Sequence, residues 1–198
     1  MKLEAVTALK KVMLVSGLAL AWVAFFKLNM LVFSQLEHSS RAHWIFLPAA
    51  LRVLWVLLFA EEGVLGLVLG AYLTLPHDAS SSLPYELLLS ASSGLGPLIA
   101  IWLCRRFFPI ASNLAGLRGW HVIALSIAGA GANSVLVNGC MAIAGRWHGD
   151  LEQIATIFVG DLTGTAIVLL FLSTALSFAA RRNTGRLADR SIGGSHGS

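Results

Sequence analysis

Six long apolar runs follow one another along this chain, at 12–34, 44–60, 63–75, 85–103, 121–144 and 153–180, with short polar connections between them. Runs of this length with few charges are the signature of membrane-spanning helices, because roughly 20 apolar residues in a helix cross the hydrocarbon core. The third run, about 13 residues, falls short of that length. It reads either as a tilted short helix or as half of a hairpin with the second run, joined at Glu61-Glu62-Gly63. The expected fold is all-α: a polytopic integral membrane helical bundle of about six transmembrane helices, residues 1–180. A basic and then Gly/Ser-rich tail, 181–198, is expected to lack regular structure.

Composition agrees with that class. Charged residues make up 12% of the chain and hydrophobic ones 57%, whereas a soluble domain carries about 25% charged residues. The net charge of +4 is not a nucleic-acid signature, because the basic residues flank the apolar runs. Lys2, Lys10 and Lys11 precede the first run, Arg105, Arg106 and Arg118 follow the fourth, and Arg181, Arg182, Arg186 and Arg190 follow the last. The connections on the other side hold only Arg41 and Arg146. The positive-inside rule then places both termini in the cytoplasm with an even number of spans. Trp44, Tyr85, Trp102, Trp120 and Trp147 stand near run ends, as an interfacial aromatic belt requires. Lys10 and Lys11 before Val12–Phe26 resemble a signal peptide, but no small-residue cleavage site follows and apolar character continues to Phe33. An uncleaved first span is expected. Cys104 and Cys140 fall near opposite ends of their runs, too far apart for a disulfide, and are expected as buried free thiols.

Two charges interrupt the apolar runs. Arg52 lies eight residues into the second and Asp161 nine residues into the last. At about 1.5 Å per residue each falls roughly 12 Å below the outer surface, and Asn138 and Asn133 of the fifth run fall at roughly 9 and 16 Å. Lys27 of the first run belongs to the same band. Charges at this depth persist where they face the bundle interior and find partners, and an Arg52–Asp161 ion pair with the two Asn amides would satisfy them. Two readings stand side by side: a buried pair that fixes helix register, or a small cavity open to the outer side in which these groups meet a ligand. Gly160 with Gly164, and Gly129 with Gly131, are expected to let helices approach closely. Ser90-Ala-Ser-Ser-Gly-Leu-Gly-Pro97 marks a kink or a local unwinding, since Pro97 cannot donate its backbone bond.

Glu37, His38, His43, His77, Asp78, His148, Asp150 and Glu152 of the outer connections match no metal motif, and no metal or cofactor is expected. No nucleophile elbow, phosphate loop, His-Glu-x-x-His or Cys-x-x-Cys occurs, so no catalytic residue is assigned.

The order of three segments, Trp44-Ile-Phe-Leu-Pro-Ala-Ala, Gly63-Val-Leu-Gly-Leu-Val-Leu-Gly-Ala and Gly160-Asp-Leu-Thr-Gly, resembles the membrane-associated sensor (MASE) domain of the first class, over about 44–172. The resemblance implies a signal-input module of a bacterial-type inner membrane, with Gly160, Asp161 and Gly164 matching the motif near the domain's close. That family usually has about eight spans and a fused kinase or cyclase. With about six spans and no output module in this chain, signalling would pass to a separate cytoplasmic or membrane partner. In size and span count the chain is also similar to the substrate-binding subunits of energy-coupling-factor transporters, which implies transport of a small molecule through the same polar layer. A third expectation is an accessory subunit of a larger membrane complex.

Overall fold

The computed structural model describes residues 2–39, 42–77, 81–108, 119–147 and 151–193. Five helices dominate them: α1 (Lys2–Phe33), α2 (Ala49–Thr74), α3 (Leu83–Phe107), α4 (Gly119–Ile143) and α5 (Leu151–Gly193). All five contain stretches long and apolar enough to cross a membrane. A 3₁₀ turn (Ser34–Leu36) and a small antiparallel ladder of β1 (Glu37–Ser39) on β2 (Ala42–His43) follow α1. Residues 109–118, Arg118 among them, lie outside the described residues, as do Arg41, Asp78, His148 and Asp150.

The runs expected at 44–60 and 63–75 form one element. Pro48 is the N-cap of α2, which therefore starts at Ala49 rather than at Trp44, because proline fits a helix's first turn but not its interior. At Ala60 the backbone leaves the helical region, with φ 46° and ψ −116°. The two limbs of α2 fold back on each other there. Arg52 has its guanidinium carbon 5.3 Å from the Trp22 ring centre, while a Cβ at Gly70 would lie 2.7 Å from the Cβ of that same Trp22. Eighteen residues of straight helix would hold those positions about 27 Å apart, so the second limb must return alongside the first. Gly63 sits in the crook, where any side chain would collide with the Trp55 carbonyl.

Around this hairpin the other helices pack in chain order. α1 lies on α2, α2 on α3, α3 on α4 and α4 on α5, and α5 closes back onto α2. Gly66 receives Leu18 of α1, and Gly70 receives Trp22. The Trp22 indole N–H donates to Thr74 Oγ1 at 3.2 Å. Lys11 pairs with Glu62 at 2.8 Å beside the hairpin tip. Leu18, Trp22, Leu51, Val53, Trp55, Val56 and Leu67 form the centre of the core with Ile101 and Leu125.

At Pro97 the structure sets aside local unwinding, and at the chain's end the last helix extends past the expected boundary at 180. α3 runs without interruption through Pro97, which is buried. Its glycines serve contact rather than unwinding: a Cβ at Gly94 would press on Val64 and Val68, and one at Gly96 would lie 3.5 Å from the Asn133 backbone. α5 continues to Gly193, into the tail expected to lack structure. Arg, Leu and Ala are good helix formers, and extending an existing helix avoids the cost of a new nucleus. Residues 194–198 lie outside the described residues.

Candidate functional site

Between His43 and Ala49 the chain is a non-helical strap, and it crosses the bundle over α5. Irregular backbone at membrane depth is tolerated only where protein groups satisfy it, and here the amides of Trp44, Phe46 and Leu47 find such partners. Phe46 N–H donates to the Gly160 carbonyl at 3.0 Å, and Trp44 N–H donates to Leu36 O at 3.1 Å. Leu47 N–H donates to Asn29 Oδ1 at 2.8 Å, and the Thr163 hydroxyl reaches Trp44 O at 2.8 Å. The first amides of α2 turn back to the carbonyls of Phe46, Leu47 and Pro48. Gly160 and Gly164 are what let the strap lie so close: a Cβ at either would collide with the carbonyl of His43 or Phe46. These two glycines therefore seat an extended segment, where the spacing suggested a second helix.

The strap fixes the start of α2 and so the position of Arg52. Arg52 Nη1 donates to Asp161 Oδ2 at 2.6 Å, and Asn133 Nδ2 donates to the same oxygen at 2.7 Å. Arg52, Asn133 and Asp161 are all at least nine-tenths buried. The guanidinium also lies 5.3 Å from the Trp22 ring centre and 5.1 Å from that of Phe46. Each such ring contact is worth roughly 2 kcal/mol where the cation is desolvated. A cation in the first turn of a helix faces the positive end of the helix dipole, so a carboxylate at Asp161 offsets both the dipole and the burial of Arg52. His43 stacks on the far side of the arrangement, its ring 5.7 Å from that of Phe46.

Of the five residues expected in one polar layer, three meet. Asn138 is buried but donates to Ser134 O at 2.8 Å on its own helix. Lys27 is exposed on α1, away from the pair. A Cβ at Gly129 would lie 3.1 Å from Val53 Cγ2, tighter than ordinary contact, whereas one at Gly131 would meet only Phe158 Cε2 at 3.9 Å, an ordinary van der Waals distance. Four contributors went unrecognised in the sequence: Trp22, Asn29, Phe46 and Thr163. Asn29, a lone amide in an apolar run, carried a signal; an aromatic ring in such a run carries none.

Three cavities border Arg52. One of about 10 Å³ lies between Arg52, Asp161, Pro97 and Thr165. A second, of about 60 Å³, is lined by His43, Phe46, Arg52, Asn133, Val137, Ile157 and Asp161. The third, of about 110 Å³, extends from Arg52 past Trp22, Phe46, Ser92 and Ser93 to Leu75 and Pro76. Among the described residues no group of three or more His, Cys, Asp or Glu side chains is placed to hold a metal ion.

No family model matches the chain, and no curated protein or solved structure matches it. Its site is read from its own geometry.

Proposed function

We propose that this chain is a sensory-type, signal-input protein of a bacterial-type inner membrane, non-catalytic, with a small-ligand site built on Arg52, Asp161 and Asn133. In this reading both limbs of α2 cross the bilayer, giving six crossings and two cytoplasmic termini. The strap end of the bundle faces outward and the Lys11–Glu62 end inward. Ligand binding shifts the packing of strap and helices, and a separate cytoplasmic or membrane partner reads the change at the basic face that includes Arg105 and Arg106. A ligand can do this only through different affinities for two arrangements, and a strap held by a handful of hydrogen bonds supplies one element able to have two.

The observation that carries the proposal is the open space on the pair. A buried charge pair kept only for register would be enclosed by close-packed side chains, yet cavities of about 60 and 110 Å³ abut Arg52. The resemblance to the membrane-associated sensor domain adds support, since the segments that carry it at 44–50 and 160–164 lie against each other at the site.

Reporter fusions at the two termini test the topology: opposite sides would remove the sixth crossing. For the function, the full chain is reconstituted in nanodiscs and screened against small polar metabolite-like compounds by thermal shift. The expected result is a hit that is lost in Asp161→Asn. Directional uptake of that hit into proteoliposomes, with an ATPase partner present, would replace sensing with transport. Binding that survives in Asp161→Asn would remove the site.

A further inference from the structure

We infer that the ligand is a net-uncharged small molecule with a compact apolar body, whose head offers a hydrogen-bond acceptor and a donor on neighbouring atoms, as a primary carboxamide does. The inference rests on the ligand-site reading proposed above.

Charge comes first. Among the described residues, Arg52 and Asp161 are the only formally charged side chains lining the two larger cavities, with His43 the one other titratable group in their walls. The pair is already neutral. An added anion or cation would leave a net charge in surroundings that solvate it poorly, and burying an unpaired ion is far costlier than burying a satisfied polar group. A ligand cation is further disfavoured because the guanidinium already occupies the Trp22 and Phe46 rings.

Hydrogen-bond valence comes next. A guanidinium only donates and a carboxylate only accepts. Nη1 and Oδ2 are committed to each other, and Asn133 Nδ2 adds to Oδ2. Asn133 must turn its NH₂ toward the carboxylate, which fixes its Oδ1 as an acceptor facing elsewhere. Arg52 Nη2 and Asp161 Oδ1 are left uncommitted, and they are not among the sealed, unpartnered atoms, which include Arg52 Nε and Asn133 Oδ1. One donor and one acceptor, carried by the two members of a single ion pair, are therefore left for a ligand. A carbonyl oxygen and an amide N–H on a single carbon would answer both.

The space sets the body. The two cavities share His43, Phe46, Arg52 and Val137, so a molecule can place its head against Asp161 and its body toward Trp22. An apolar cavity of about 150 Å³ holds benzene, so a branched body of a few carbons suits the about 60 and about 110 Å³ present here.

Three probes of matched branching decide it: isobutyramide, isobutyrate and isobutylammonium, titrated calorimetrically into the full chain in nanodiscs. The amide should bind about tenfold more tightly than either ion, the ratio that one unsatisfied buried polar group produces. Val137→Phe, which fills the shared wall, should weaken amide binding; if that variant does not fold, Ser93→Leu on the other wall serves instead. An ion that binds as well as the amide overturns the uncharged-head inference and leaves the ligand site standing. Binding by none of the three, or amide binding indifferent to the wall variant, overturns both.

Discussion

Asp161→Asn is the sharpest perturbation this structure offers. The amide keeps the size of the carboxylate and can still accept from Asn133, so what is lost is the charge opposite Arg52, not the shape. Were the Arg52–Asp161 contact of 2.6 Å merely one more interhelical hydrogen bond, its removal would cost about 0.6 kcal/mol, the average for such bonds in a membrane protein. Breaking a buried ion pair by removing one partner costs about 3–5 kcal/mol, because the other charge stays buried and uncompensated. Arg52 is 8% exposed and its Nε is already sealed without a partner, so the larger figure applies. For a chain of this length it corresponds to a fall of roughly 10 °C in melting temperature. Arg52→Met with Asp161→Leu should return to within about 1–2 kcal/mol of the wild type, since replacing both charges by apolar groups is often neutral. Methionine suits the slot between Trp22 and Phe46 through favourable sulfur–aromatic contacts, and the cavities beside Asp161 accommodate the bulkier leucine. The measurement is a melting series of the wild type, Asp161→Asn and the double variant in one detergent or nanodisc. A single variant melting within about 2 °C of the wild type would show that the two charges are not a buried pair.

Gly164→Ala should destabilise by about 2 kcal/mol or more, because its Cβ meets backbone of the strap and cannot be relieved by a rotamer change. Gly139→Ala is the control: nothing lies within 4 Å of its Cβ position, so it should be neutral or stabilise by up to about 1 kcal/mol through helix propensity. Equal melting temperatures for the two would mean the strap does not rest on α5. Ala60→Gly should raise stability by about 1 kcal/mol, since left-handed backbone is costly for a residue with a Cβ. A lower melting temperature would show that α2 does not fold back at that residue.

Relative height along the bundle was legible in the sequence because rise per residue converts position into height. Arg52 and Asp161 could be set at one level by counting, and they touch. Position along a run gives height but not direction around the helix, and both displaced residues of the expected layer fall away for that reason. Asn138 is five residues from Asn133, about 140° around the helix, so the two cannot face Asp161 together. Lys27 is likewise five residues from Trp22, whose ring faces Arg52; the same 140° turns Lys27 outward. Asn29, seven residues beyond Trp22, returns to within about 20° of it and reaches the strap from the same face of α1.

Counting angle as well as height would have found Asn29 and set Lys27 aside. It would still have missed the strap. Residues 44–48 read as the start of an apolar helix, since nothing local distinguishes a buried extended segment from a helical one except Pro48. The remaining clue stands more than a hundred residues away, in two glycines spaced one turn apart beside an aspartate. Small residues four apart announce that a backbone passes close by, and they leave open whether it belongs to a helix. Because the strap both holds Arg52 in line with Asp161 and walls the two larger cavities through Phe46, any molecule that fills those cavities presses on it first. In the proposed reading, the coupling of site to bundle would therefore reside in the strap, whose backbone bonds reach across to α1 and α5 instead of running within a helix.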